Sequence, residues 1–432
     1  MKTQQHFIID FDSTFTQVEA LDELAAISLA KHPDRKKIYK KIEDYTNLAM
    51  EGKLSFDESL EERVKLLEAN KDHLKKLIAH LKKKVSKSFS RNKVFFKKHE
   101  KEVLIVSGGF KEFIIPVVKQ YHIKKENVYA NTFLFDGEGR IIGYNKSNPL
   151  SKEGGKVELL KQLKLKGELF GIGDGYSDFQ LRESGLIKKF FAFTENISRK
   201  SVTDKADHIA PSLDEFLFVN KLPGAISYPK NRINCVIVGK VPQVCINSLN
   251  EEGYTIHQTD KPEIESIETA GMLLIGKGVQ LDDKIIKNAA RLKTIGYLGN
   301  SSKIVSELTC TQMGIAVFSE KKPTANSESA IPKRMIDFIN SGSTHKSSNF
   351  PNIQPPAINQ THRFIHIHKN VPGVIAHINN ILAKHRINID SQFLLTNNTI
   401  GYVIIDVHAN YDAELIKALK KVEQTIQFRI LY

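Results

Sequence analysis

The stretch His6-Phe7-Ile8-Ile9-Asp10-Phe11-Asp12-Ser13-Thr14 decides how the first half of the chain is read. A short β-branched and aromatic run followed by carboxylates at i and i+2 predicts a buried strand delivering both acids to its C-terminal end. Open α/β sheets build their sites there. Two carboxylates so close resist joint ionisation unless a cation lies between them. An Asp-x-Asp alone turns up about once by chance in a chain of this length, so its meaning depends on the partners that the rest of the chain supplies.

Three later loops supply them. Ser107-Gly108-Gly109 comes after the apolar run Val103–Val106 and offers a hydroxyl and open backbone amides to phosphate oxygens. Lys156, after Gly154-Gly155, brings a fixed positive charge at close backbone approach. Gly173-Asp174-Gly175-Tyr176-Ser177-Asp178 ends another strand-like run and adds carboxylates that complete an oxygen-rich Mg²⁺ site. Singly these are a turn, a surface lysine and an acidic loop; in this order they describe a phosphoryl-transfer site.

Composition sets the frame. The 432 residues allow two to four domains, and 41% hydrophobic with 26% charged residues is usual for a globular protein. No run approaches the roughly 18 apolar residues of a membrane span, and the N-terminus shows no signal-peptide core, so a cytoplasmic protein is expected. Cys235, Cys245 and Cys310 lack metal-ligand spacing and are expected as buried thiols. The net charge of +14 gathers in part between Lys82 and Lys101, where nine Lys or Arg meet one acid, Glu100. No aromatic-interleaved motif accompanies that cluster, so it reads as a solvated helix face and no nucleic-acid partner is expected.

Residues 17–85 carry helical periodicity, as at Leu54, Phe56, Leu60, Val64 and Leu67, too long for a strand-to-strand connection. They read as a helical insertion after the first strand of a doubly wound, Rossmann-like α/β domain. A second small doubly wound α/β lobe starts near Arg232. Residues 341–361, rich in Ser, Asn and Pro, read as a linker. The last segment alternates as βαββαβ, a ferredoxin-like split.

Residues 6–222 resemble the haloacid-dehalogenase-like phosphatases, and more closely the phosphoserine phosphatases. The resemblance extends to Val18–Glu23 and Met50–Arg63, which look like that family's cap, about 16–85. It implies Asp10 as nucleophile through an aspartyl-phosphate, and Asp12 as general acid and base. It implies Mg²⁺ held by Asp10, the main-chain carbonyl of Asp12, and Asp174. It further implies that Glu19 takes the substrate ammonium and Arg63 its carboxylate, that Met50 and Phe56 close the apolar side, and that Ser107, Gly108, Lys156 and Ser177 hold phosphate with Asp178 behind them. Tyr176-Ser177 stands where many relatives have a small residue followed by Asn or Thr.

Residues 363–432 resemble the ACT domain that ends bacterial phosphoglycerate dehydrogenases, through His366–Val374, Asn388–Gln392 and Arg429–Tyr432. That implies edge-to-edge homo-oligomers and serine binding at His368, Asn370 and Asn388. The region 228–342 resembles the substrate-side lobe of the same family through Leu249–Tyr254 and Ala290–Gly296. It has no Gly-x-Gly-x-x-Gly behind a strand, and Gly276-Lys277-Gly278 replaces the usual Arg-Ser loop, so it is expected to be catalytically dead. The expected organisation is a phosphatase domain over 1–222, a degenerate lobe over 228–342, a linker over 343–360 and an ACT domain over 361–432. The resemblances imply Mg²⁺-dependent hydrolysis of phosphoserine, the last step of serine biosynthesis, with serine sensed at the C-terminus. The rival expectations are a phosphatase or phosphotransferase for another small phosphate ester, and a non-catalytic amino-acid sensor.

Overall fold

A computed structural model describes residues 4–50, 53–226, 228–299, 306–320, 325–358, 361–408 and 411–431, the side chains of Met50 and of 325–328 excepted. The chain forms two compact units, 1–225 and 226–432.

The first unit is built on a six-stranded parallel sheet. Its spatial order is Val128–Asn131, Val103–Phe110, Gln5–Ile9, Glu168–Gly173, Lys189–Phe193 and His208–Ala210. The strand Gln5–Ile9 is central because both its faces are apolar. Phe7 and Ile9 enter one hydrophobic layer and Ile8 the opposite one. Burying such side chains contributes about 1.5–3 kcal/mol each. Strand order reverses beside this central strand, which opens a crevice at its carboxyl end, directly at Asp10.

Four helices, Ala20–Ser28, Arg35–Met50, Phe56–Leu66 and Lys71–Leu81, fill the expected insertion. Two short crossings join them to the sheet domain. Thr16 pairs with Val85, and the Gln17 backbone and side chain donate to the carbonyls of Lys84 and Val85 at 2.8 and 2.9 Å. Asn196 pins this crossing through its amide, which donates to the carbonyls of Ser13 and Thr16 and to Ser86 Oγ at 2.9, 3.2 and 2.8 Å.

In the second unit, a five-stranded parallel sheet takes the order Thr255–Thr259, Asn234–Val238, Met272–Ile275, Thr294–Tyr297, Ala316–Ser319. An antiparallel sheet comes next, ordered Ile389–Thr396, Ile400–Val407, His362–Lys369, Thr425–Leu431. Helices Val374–Lys384 and Ala413–Lys420 cover one face of it, over Phe364, Val403 and Ile405. This is the expected βαββαβ order. All three cysteines are buried and none forms a disulfide.

The structure differs from expectation over 343–358. Thr344 is fully buried and Ser343, Asn349, Phe350 and Ile353 nearly so, so this stretch is no solvated tether. The Asn349 side chain accepts from Val317 N–H at 2.8 Å and donates to the Ile315 carbonyl at 2.9 Å, serving as an extra rung beside the strand Ala316–Ser319. Thr344 Oγ1 donates to the Pro351 carbonyl and accepts from Ile353 N–H, closing the segment on itself. Polar side chains that satisfy backbone groups allow a Ser/Asn-rich stretch to be buried. Through it the second face of the antiparallel sheet joins the lobe: Ile365, Ile367, Tyr402 and Ile404 share a core with Ile331, Met335, Phe338 and Phe350.

Candidate active site

The crevice at the end of Gln5–Ile9 collects most of the residues singled out in the sequence. One pocket is lined by Asp10, Asp12, Glu19, Phe56, Arg63, Ser107, Gly108, Lys156 and Ser177. Asp174 and Asp178 stand behind it, each 4% exposed. Met50 lies outside the described side chains.

The chain leaves the central strand through an irregular turn, with Ser13 in the left-handed region at φ +52°. A non-glycine residue there carries strain that its surroundings must hold. Ser13 Oγ donates to Glu19 at 2.7 Å and Thr14 Oγ1 to Asp174 at 2.8 Å, tying the turn to both the cap and the neighbouring strand. The turn aims Asp10 and Asp12 differently. Lys156 Nζ lies 2.9 Å from Asp10 Oδ1 and 2.6 Å from Asp178 Oδ1. Asp12 Oδ1 instead accepts from Ala20 N–H at 2.7 Å, at the first turn of the cap's leading helix.

Their surroundings set the protonation. Burial, seconded by the charge of Glu19, holds Asp12 well above the usual carboxylate range. Burial does the same to Asp174, and raises Asp178 to about 7 with help from Asp10. For Lys156, burial opposes the charge, but Asp10 and Asp178 outweigh it and hold the ammonium above its ordinary value.

Close backbone approaches explain the glycines of the loops. A side chain at Gly155 would meet the Pro149 carbonyl at 2.0 Å, so only glycine lets the helix bearing Lys156 enter. Ser107 Oγ accepts from Gly109 N–H at 2.9 Å. Asn131 donates to the carbonyls of Gly108 and Leu150, fixing both walls. From the cap, Phe56 covers Gly108 closely, and its N–H donates to Glu153 at 3.1 Å. Arg63, which lines the pocket, is 6% exposed and 3.5 Å from Asp22, and among the described residues its buried Nε has no hydrogen-bond partner.

Mg²⁺ can be tested against these residues. Asp10, Asp12, Glu19, Asp174 and Asp178 crowd round three cations, Lys156, Arg63 and Arg199, the last 2.9 Å from Asp174. Five carboxylates, two of them buried and three partly so, are hard oxygen donors that fit a divalent cation. Among the described residues no three His, Cys, Asp or Glu side chains form a metal cluster.

Sequence reasoning missed Asp22, Arg199, Asn196 and Glu153. Only Glu153, adjoining Gly154-Gly155, carried a local signal. The effector residues do not converge within one chain. His368 is buried and Asn370 donates to the Asn397 carbonyl. Asn370 comes directly after Lys369, which pairs with Ile400, whereas Asn388 precedes Ile389, which pairs with Val407. The two asparagines therefore sit at opposite ends of the sheet.

Residues 7–183 match the family of haloacid dehalogenase-like hydrolases, and 364–427 the AHAS small subunit-like ACT domain. The chain is 29% identical over 202 residues to the chloroplastic phosphoserine phosphatase of Arabidopsis thaliana, covering 46% of this chain and 65% of that one. It is 38% identical over 99 residues to D-3-phosphoglycerate dehydrogenase of Haemophilus influenzae, covering 23% and 24%. A phosphoserine phosphohydrolase-like protein of Francisella tularensis has a solved structure that is 29% identical, with a TM-score of 0.46, covering 50% of this chain and 99% of that one. The chain thus spans just under two thirds of the plant protein and about a quarter of the dehydrogenase.

Proposed function

We propose that the haloacid dehalogenase-like hydrolase domain of this chain hydrolyses O-phospho-L-serine to serine and phosphate. The contrast between Asp10 and Asp12 carries the reading: one carboxylate is paired with an ammonium, the other is disposed by desolvation and the Glu19 charge to hold a proton. The Asp10 oxygen attacks phosphorus and takes the phosphoryl group as an aspartyl-phosphate. Asp12 gives its proton to the departing serine oxygen, then accepts one from the water that splits the aspartyl-phosphate. Lys156 and Ser107 hold phosphate oxygens, and Lys156 keeps Asp10 in line. Mg²⁺, bound by Asp10, the Asp12 carbonyl and Asp174, would supply charge neutralisation at the phosphate.

Substrate choice rests on the cap. Glu19 is read as the partner of the ammonium, and Arg63, whose Nε has no partner among the described residues, as that of the carboxylate; both line the pocket. Phe56 over Gly108 excludes water when the cap shuts. The ACT-type segment is read as a serine sensor working in pairs, because Asn370 and Asn388 of one chain cannot meet at one ligand while those of two antiparallel copies can.

Phosphate release from phosphoserine, with and without Mg²⁺, tests the activity. Asp10→Asn is expected to abolish it while the far-ultraviolet circular dichroism stays unchanged; turnover in that variant overturns the nucleophile. Faster release from another phosphate ester would overturn the substrate.

A further inference from the structure

We propose that Glu153 is the latch of the cap: its carboxylate ties the cap helix that reads the substrate to the loop that holds phosphate, and so sets the spacing of the two. This rests on the reading of the pocket as a phosphoserine site and deepens it by naming a positioning residue.

The cap helix Phe56–Leu66 begins with a cap of its own. Ser55 Oγ accepts from Glu58 N–H at 3.4 Å and donates to Glu58 Oε2 at 2.7 Å. That serves the third residue of the helix and leaves the first N–H, that of Phe56, to find its acceptor elsewhere. The acceptor comes from the sheet domain. Glu153 Oε2, 97 positions on, receives the Phe56 N–H at 3.1 Å. A carboxylate suits the place, because the N-terminus of a helix carries partial positive charge.

Both ends of this bond lead to the chemistry. On the cap side Phe56, Leu60 and Arg63 share one face of the helix, and all three line the pocket. On the other side Gly155 N–H closes on the Lys152 carbonyl at 3.1 Å, so Glu153 stands inside a tight turn that runs directly into Lys156.

The turn itself is held in place. Asn131 donates to the Leu150 carbonyl at 3.1 Å and Asn148 to the Ala130 carbonyl at 2.9 Å, which pins the loop to the strand Val128–Asn131. One hydrogen bond from a fixed loop thereby sets how far Arg63 stands from Lys156. These are the two cations assigned to opposite ends of one substrate. The latch holds the shut cap alike before and during the reaction, so losing it weakens ground state and transition state together. Such a loss raises KM and spares kcat.

The test uses the full chain. Hydrolysis of phosphoserine gives KM and kcat, and hydrogen exchange of the ligand-free chain, resolved to the Phe56 amide by fragmentation mass spectrometry, reads the bond itself. Glu153 is exposed, so truncating it empties no core. Glu153→Ala is expected to raise KM roughly tenfold with kcat within about twofold, as for a lost bond to a charged acceptor. The Phe56 amide should exchange faster in that variant. Glu153→Gln, which keeps an acceptor without the charge, should fall between the two in both readouts. An unmoved KM or an unchanged Phe56 exchange rate in Glu153→Ala overturns the latch. If the wild-type chain releases no phosphate from phosphoserine, the substrate reading falls by itself, and the exchange rates still decide whether Glu153 holds the cap.

Discussion

Arg63 and Asp22 face each other at 3.5 Å, an arginine expected to hold a substrate carboxylate already facing a carboxylate of its own protein. Burial raises Asp22 to about 6, and Thr46 Oγ1 donates to it at 2.9 Å. Asp22 is therefore a competitor for Arg63 that weakens as pH falls.

Asp22→Asn should lower KM for phosphoserine several-fold above pH 7, with little change in kcat. Stability should respond too. Asp22 titrates near 3.8 when unfolded and near 6 when folded, so between those values the folded state binds the extra proton. The wild-type protein then loses up to roughly 3 kcal/mol from this group as pH rises through that window. Denaturant unfolding at pH 4 and pH 7 should show the variant gaining on the wild type by about that much; parallel pH profiles would refute the assignment.

Lys156 neutralises two carboxylates, and Lys156→Met would strand Asp10 and Asp178 together in a buried site. Removing one partner of such a group costs about 3–5 kcal/mol. Thermal unfolding should show this as a fall in Tm, accompanied by a loss of kcat of at least about a hundredfold. Adding Asp178→Asn should restore part of the stability and none of the activity.

Gly108→Ala would place a methyl 2.5 Å from the Phe56 ring. The ring belongs to the cap and the glycine to the sheet domain, so the clash props the cap open. We expect kcat/KM to drop by an order of magnitude or more, by the logic that misplacement of about 1 Å costs around a hundredfold. Truncating the ring in Phe56→Ala should make the second change nearly silent. Simple additivity in that double-mutant cycle would disprove the contact.

In the second unit Arg363 is wholly buried, with Nε and Nη2 each 2.7 Å from the two oxygens of Asp406. It also donates to the carbonyls of Ser341 and Pro356. Arg363→Met alone should destabilise the unit by about 3–5 kcal/mol, and Arg363→Met with Asp406→Leu by clearly less. Urea unfolding of the four-member cycle measures this.

The strand Gln5–Ile9 and its acids were legible because both depend on near neighbours in sequence. An apolar run ended by Asp10 and Asp12 has few other readings, and Gly154-Gly155 announces the backbone approach that brings in Lys156. Asp22, Arg199 and Asn196 were hidden because their roles exist only through folding: Asn196 meets Ser13 across 183 positions. The stretch 343–358 misled for another reason. Its Ser, Thr and Asn content is usually a sign of hydration, yet here Thr344 and Asn349 turn the same side chains inward to satisfy main-chain groups.

The antiparallel sheet near the C-terminus has helices on one side and the lobe on the other, with Ile365, Ile367, Tyr402 and Ile404 sealed between them. Tyr402 even donates to the Gly342 carbonyl at 2.7 Å. The lobe is consequently indispensable whatever chemistry it lacks. Excising it would turn a protected interior into a sticky wall, and the ACT-type sheet could not be kept without its backing.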